Sequence, residues 1–451
     1  MTLELDGETR RALWERLGEL VEQYARDVGD LPLAPVSTTA EPWDFSRPRD
    51  PSVVLEAMTR GLREGIVHVG HPGYFGLFNP APATLGVVSA ALAAAFNPQL
   101  ATHSHAPWPV EIERQVLAAF GTRFGYSEVE GTFTSGGAEA NATALSTALF
   151  QAFPDLSERG LRALSGNPTL YVSAEGHATV TRAARLAGLG RESVRVIPAD
   201  RHSRMKTVAL REAIARDRAA GASPFFIVAT AGTTSAGAID PLDEIATIAE
   251  RAGAWLHVDA AWGGLAALVP ELRGALEGIA RADSITFDAH KALSSPMGAG
   301  MYLSRRIGAL ARAFDDRGGY MPRDASLDPY AHSAQWSRRF IGLPVFAALA
   351  AEGFDGYATS LRKQIALAQR LREGLVARGL TVVNDTPLPL VCFVDPTRRD
   401  LDSVARAVIA KGAGWISVTR LASGARVLRA CVNNHRTDEA HVDRLLSALE
   451  R

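Results

Sequence analysis

Residues Phe225–Ala261 read FFIVATAGTTSAGAIDPLDEIATIAERAGAWLHVDAA. A run rich in β-branched and aromatic residues, Phe225–Thr230, gives way to a turn of small residues. The helical spacing of Leu242–Ala252 follows, then a second apolar run, Trp255–Val258. Strands that are apolar throughout, joined by an amphipathic helix, predict parallel pairing with both sheet faces covered. The rhythm extends in both directions. Gly131–Thr134 precedes a helix at Glu139–Ala152, Thr169–Ser173 one at His177–Gly188, and Val194–Ile197 one at Val208–Ala219; Ser284–Phe287 and Met301–Leu303 follow. The predicted fold class is α/β, a mostly parallel central sheet covered by helices. Right-handed crossovers then gather the strand C-termini on one edge, where such sheets bind ligands.

The flanks read differently. A first helix from about Glu8 to Val28 carries Leu13, Leu17, Leu20 and Tyr24 on one face. Pro32, Pro35, Pro42, Pro48 and Pro51 then impose an extended arm, which buries little by itself and is expected to lie across another domain or subunit. Helix resumes near Val53–Leu62. Beyond Phe340 a helix at Ala358–Arg378, strands at Thr381–Asn384, Leu390–Val394, Ile416–Thr419 and Val427–Val432, and a helix at Thr437–Leu449 predict a small α+β domain. The expected division is an N-terminal helical and extended dimerisation segment (1–78), a large ligand-binding domain (79–345) and a small C-terminal domain (346–451). The 48 basic and 49 acidic residues nearly cancel, so no electrostatic grip on nucleic acid or anionic lipid is expected. The N-terminus lacks a signal-peptide core, the apolar stretch Leu85–Phe96 is too short to span a bilayer, and only two cysteines occur, Cys392 and Cys431. A soluble cytoplasmic protein is expected.

Several polar motifs fall just after strands. The run Ser284-Ile285-Thr286-Phe287-Asp288-Ala289-His290-Lys291 delivers a lysine to a strand end. Lysine is scarce here, with Lys206, Lys291, Lys363 and Lys411 the only four among 48 basic residues. Arginine cannot form an imine, whereas lysine can lose its proton when desolvated or set among cations; a surface lysine is the plain alternative. One strand earlier Asp259 ends an apolar run and is followed by small residues. A buried carboxylate needs a cationic or hydrogen-bonded partner, and a pyridinium nitrogen is one; helix capping is the other reading. Thr134-Ser135-Gly136-Gly137-Ala138-Glu139-Ala140-Asn141 sets small residues at a helix start, where backbone N–H groups can cradle a phosphate. It is neither a Walker loop nor a G-x-G-x-x-G dinucleotide pattern, and an ordinary glycine turn would look similar. Ala231–Gly237 supplies hydroxyls, and Ser173-Ala174-Glu175-Gly176-His177 puts an imidazole where it could stack on a flat cofactor or merely cap a helix.

Together these pieces resemble the group II pyridoxal-phosphate decarboxylases, which act on aromatic amino acids, diaminobutyrate, cysteine sulfinate or glutamate. The motifs are His71-Pro72, Thr134–Asn141, Ser173–His177, Gly232-Thr233-Thr234, His257–Ala261, Ala282-Asp283-Ser284 and His290-Lys291, in order from His71 to about Phe340. The resemblance implies a fold-type I homodimer with active sites at the interface and pyridoxal 5'-phosphate as cofactor. It implies that Lys291 carries the cofactor as an imine with His290 beside it, that Asp259 pairs with the pyridine nitrogen, and that Ala261 and His177 lie on opposite ring faces. His177 is also implicated in protonating the product carbanion. Gly137 and Ala138 match phosphate-loop positions, and Thr234 and Asp288 further cofactor contacts. Tyr320, between Gly318-Gly319 and Pro322, matches the loop tyrosine associated with protonation, with Tyr330 its rival.

The pattern also departs from the family. Ala292 stands where a Trp usually follows the His-Lys pair, and Leu343-Pro344-Val345 replaces the usual Lys-Leu-Trp after Arg338-Arg339-Phe340. For the substrate pocket, Tyr74, Phe75, Phe78 and Trp108 suit an aromatic side chain, although they could simply pack. His103 and His105 could instead recognise an acidic one, and they lack the further ligands of a metal site. The expected activity is decarboxylation of an L-amino acid to the primary amine and CO₂. A decarboxylation-coupled oxidative deaminase or an aminotransferase on the same scaffold, and a non-catalytic dimeric homologue, are the alternatives.

Overall fold

The computed structural model describes residues 3–37, 39–40, 42–164, 166–316, 327–397 and 400–450. The apolar runs become a seven-stranded sheet of β1 (Glu130–Thr134), β2 (Asn167–Ser173), β3 (Val194–Ile197), β4 (Ala222–Thr230), β5 (Trp255–Asp259), β6 (Ser284–Asp288) and β7 (Gly300–Ser304). Its order is β1-β7-β6-β5-β4-β2-β3. The pairs β3/β2, β2/β4, β4/β5 and β5/β6 are parallel, and only β7 runs against its neighbours β6 and β1. Every residue of β5, β6 and β7 is buried, which is why apolar residues dominate these strands on both faces. Phe287 of β6 packs between Phe120 and Phe124 at ring-centroid distances of 5.2 and 5.6 Å. Truncating so enclosed a ring to alanine costs about 3–5 kcal/mol.

A second, antiparallel sheet of β8 (Thr381–Val382), β9 (Leu390–Val394), β10 (Ser417–Arg420) and β11 (Arg426–Cys431) has the order β10-β11-β9-β8. Its core is Leu371, Leu375, Val391, Phe393, Leu428 and Leu445. The segment after His71 feeds into this sheet. Phe75 N–H donates to Trp415 O and Cys431 N–H donates to Phe75 O, both at 2.9 Å, so the Phe75 ring enters the small-sheet core.

One helix differs from expectation. Rather than starting at Ala358, it runs Gly342–Ala377 across the anticipated boundary at 345, broken at Gly353 (φ 61°, ψ 173°). Pro344 sits in the first turn, where its missing N–H costs nothing. At the N-terminus the helices Gly7–Asp27 and Pro51–Glu64 bury none of their residues in this chain. They are tied by Arg63 to Asp27 at 2.7 Å, and the connection is anchored by buried Val28 and Leu33. Among the described residues no helix is long and apolar enough to cross a membrane.

Candidate active site

The C-terminal ends of β1, β2, β4, β5 and β6 converge on one cavity of about 260 Å³. β6 ends at Asp288, and one helical turn, Ala289–Ala292, carries Lys291 back over it. Lys291 Nζ lies 2.9 Å from Asp288 Oδ2. Asp288 is 1 % exposed, and its other oxygen, Oδ1, is buried with no hydrogen-bond partner among the described residues. His290 Nδ1 faces the Ala299 carbonyl at 2.9 Å; since a carbonyl only accepts, that nitrogen carries the proton. Burial pushes the His290 imidazole below its ordinary value, against the pull of Asp288.

β5 delivers Asp259, which accepts from Asn141 Nδ2 at 2.8 Å and from Ala261 N–H at 3.2 Å. β1 leads through Ser135 into the helix Gly137–Ala152, whose start has no side-chain cap. Gly136 there has φ 147° and ψ 179°, a conformation for glycine alone. A Cβ on Gly137 would stand 2.9 Å from Asp288 Oδ2 and 3.3 Å from Ala261 Cβ. Bare glycines before uncapped amides leave a cradle that a phosphate fits, with the Asp288 carboxylate beside it paired to Lys291. Glu139 does not fill it, because its carboxylate accepts from Ser135 N–H and Oγ–H at 2.8 and 2.7 Å and from Gln335 Nε2 at 2.6 Å.

The cavity brings together Gly137, Ala138, His177, Thr234, Asp259, Ala261, Asp288, His290 and Lys291, all nine of the residues assigned to the cofactor. Phe78 joins them, stacked on Trp262 at 4.2 Å. The other substrate candidates do not line it. Tyr74 packs on Trp415 at 5.4 Å, and Phe75 is in the small-sheet core. His105 Nδ1 bonds Thr102 Oγ1 at 2.5 Å, His103 N–H donates to Asp328 Oδ1 at 2.7 Å, and Trp108 rests on Phe340 and Phe346, half exposed. Tyr330 is buried against Trp336 at 5.0 Å. Tyr320 lies outside the described residues.

Three nearby residues had no role assigned from sequence. Asn141 and Thr179 line the cavity and bond each other. Arg429 of β11 is 2 % exposed, with its guanidinium 4.6 Å above the Phe78 ring and Nε donating to Thr234 O at 2.9 Å. Its Nη2 is buried without a hydrogen-bond partner among the described residues. The available signal was an arginine inside the apolar run Val427-Leu428-Arg429-Ala430-Cys431.

An amine at a strand end, a buried carboxylate one strand away and a phosphate cradle, all in one cavity of a mostly parallel sheet, define a pyridoxal-phosphate enzyme. Residues 39–395 match the pyridoxal-dependent decarboxylase conserved domain. The chain is 33 % identical to cysteine sulfinic acid decarboxylase of Rattus norvegicus over 85 % of its length and 83 % of the relative's. It is 30 % identical to tryptophan decarboxylase 2 of Oryza sativa subsp. japonica over 97 % and 93 %. The crystal structure of mouse CSAD superposes with a TM-score of 0.91 at 30 % identity, covering 99 % of this chain and 98 % of that one. The chain belongs to the pyridoxal-dependent decarboxylase family.

Proposed function

We propose that this cavity takes an L-amino acid, releases its α-carboxylate as CO₂ and leaves the primary amine. The observation that carries the reading is the convergence of Lys291, Asp259, His177 and the uncapped Gly137–Ala138 helix start on one cavity. Bound pyridoxal phosphate supplies a protonated ring able to accept the electron pair that CO₂ leaves behind. Lys291 would hold the cofactor's aldehyde carbon, and Asp259 would keep the ring nitrogen protonated. The amides of Gly137 and Ala138 bind the phosphate. Thr234, Ala261, Asp288 and His290 hold the cofactor in place, and His177 brings the proton that Cα receives. Tyr320 is assigned a share in that protonation on the family motif alone.

For the side chain, two classes have support. An acidic group is favoured by the buried cation of Arg429 behind Phe78, which has no carboxylate partner among the described residues, and by the cysteine sulfinic acid relative. An aromatic one is favoured by Phe78 itself and by the tryptophan relative.

The working unit is proposed to be a homodimer. Two N-terminal helices with nothing buried do not hold their own shape in water. The helix Thr84–Phe96 also exposes Leu85, Val88, Leu92 and Phe96 along one side. A second copy covering these surfaces would also bring His103, His105 and Trp108 towards a site. Cys392 and Cys431 are buried and unbridged, as suits the cytoplasm. The reading is tested by incubating the protein and pyridoxal phosphate with acidic, aromatic and basic L-amino acids while CO₂, amine, aldehyde and peroxide are measured. Amine and CO₂ in equal amounts are expected. Aldehyde with ammonia, or no turnover of any substrate, would overturn it.

A further inference from the structure

Asp259 and His177 meet at a single side chain. Asn141, one turn into the helix Gly137–Ala152, is 3 % exposed. Its Nδ2 donates to Asp259 Oδ2 at 2.8 Å and to Thr179 Oγ1 at 3.0 Å. Its Oδ1 lies 2.9 Å from Thr286 Oγ1 and 3.0 Å from His257 Nε2. Further back His257 Nδ1 faces Ser284 Oγ at 2.8 Å, and Ser284 Oγ accepts from Trp255 Nε1 at 2.8 Å.

The two ends fix the direction of this network. A carboxylate only accepts and an indole N–H only donates. The Asn141 nitrogen must therefore face Asp259, which turns Oδ1 towards Thr286 and His257; Thr286 Oγ1, 3.1 Å from His257 Nε2, gives its own proton to that oxygen, so His257 Nε2 is a donor. Burial pushes the His257 imidazole down to about 4, so at neutral pH it has one proton, placed on Nε2. Nδ1 then accepts from the Ser284 hydroxyl, whose oxygen accepts from Trp255. Every donor points the same way, from Trp255 towards Asp259.

Asn141 also begins a branch. Thr179 Oγ1 accepts from Asn141 and so has its own proton to give, and His177 Nδ1 lies 3.0 Å away. The Thr179 backbone N–H points at the same nitrogen from 3.3 Å. Nδ1 of His177 is an acceptor on both counts, which leaves Nε2, with its proton, for a ligand.

We propose that Asn141 is a positioning residue for both groups at once, holding the Asp259 carboxylate and, through Thr179, setting His177 in the Nε2–H tautomer. The proposal takes Asp259 and His177 as cofactor partners from the functional reading above, but its tautomer readout does not depend on turnover. The protein with bound pyridoxal phosphate is labelled with ¹⁵N-histidine, and His177 is assigned by the signal lost in His177→Asn. The wild type should show an unprotonated Nδ1 that accepts a hydrogen bond. In Asn141→Asp the new carboxylate captures the Thr179 proton, the hydroxyl turns its lone pairs to Nδ1, and that nitrogen should become protonated. In Asn141→Leu, which adds no charge and guards against a variant that fails to fold, the His177 Nδ1 resonance should move towards that of an unbonded nitrogen. Titration of cofactor-free Asn141→Leu with pyridoxal phosphate should give a Kd about tenfold weaker, the loss of one hydrogen bond to a charged group. Thr179→Val should move the same resonance and weaken the Kd less than Asn141→Leu does, since it cuts only one branch and leaves the bond to Asp259. His177 resonances unchanged in both Asn141 variants would overturn the proposal, as would a Kd in Thr179→Val as weak as in Asn141→Leu. Wild type lacking decarboxylase activity but showing these tautomers would refute the functional reading and leave the network standing.

Discussion

Replacing Gly137 by alanine should weaken cofactor binding far more than it weakens the fold. The added Cβ would lie 2.9 Å from Asp288 Oδ2 and 3.3 Å from Ala261 Cβ. The first contact is closer than real Cβ atoms tolerate, and Asp288 has little room to retreat, because it is 1 % exposed and tied to Lys291 at 2.9 Å. Overpacking of this kind costs about 1–3 kcal/mol. If the helix start relieves the clash by moving into the cradle, that cost appears in the Kd for pyridoxal phosphate as a weakening of about 5- to 140-fold. Titration of cofactor-free protein, followed by the cofactor's absorbance, measures it. Gly61→Ala is the control, since its Cβ meets nothing within 4 Å and the site lies on the exposed helix Pro51–Glu64. That variant should bind cofactor normally and gain about 0.5–1 kcal/mol of stability from helix propensity. An unchanged Kd in Gly137→Ala would refute the assignment of this helix start as the phosphate cradle.

Other perturbations have equally definite outcomes. Glu113 and Arg338 form a buried pair with side chains 3 % and 4 % exposed, and Glu113 Oε1 also accepts from Gly342 N–H at 2.9 Å. Glu113→Ala leaves the guanidinium uncompensated and should cost about 3–5 kcal/mol in urea unfolding, while an unchanged midpoint would contradict the pairing. Burial pushes His257 and His71 down to about 4 in the folded chain, whereas an unfolded chain takes up protons near the ordinary 6.5. Between those values the unfolded state binds more protons, so stability should fall as pH drops from 6.5 towards 4, by about 1.4 kcal/mol per pH unit for each histidine. His257→Gln should remove about one proton from that slope, and a slope identical to wild type would exclude His257 as its source. Tyr320→Phe should turn product from amine towards aldehyde while Tyr330→Phe does not; the reverse pattern would move the protonating role to Tyr330.

How much of this was legible in the sequence depended on how local the cause was. Strands β4 to β7 announce themselves because they are largely buried on both faces, so apolar residues dominate them and the few polar ones, such as His257 and Thr286, find partners inside the sheet. The nine residues assigned to the cofactor lie just after strand ends, which a parallel sheet gathers on one edge. The residues that escaped notice act over long distances. Asn141 reaches Asp259 and His257 across 118 and 116 positions, and no spacing rule connects them. Tyr74 and Phe75 look like pocket aromatics next to Phe78, yet backbone bonds to Trp415 and Cys431 draw that segment onto the small sheet and turn Phe75 into its core. The helix before Ala358 was hidden by Pro344 and Gly353, one harmless in a first turn and the other a real break.

The central claim is that Lys291 carries the cofactor. Borohydride reduction of the protein with bound pyridoxal phosphate, followed by proteolysis and mass spectrometry, tests it most directly. The account expects one modified lysine, Lys291, and loss of the label in Lys291→Ala. Label on Lys206, Lys363 or Lys411, or no reducible bond at all, would contradict it.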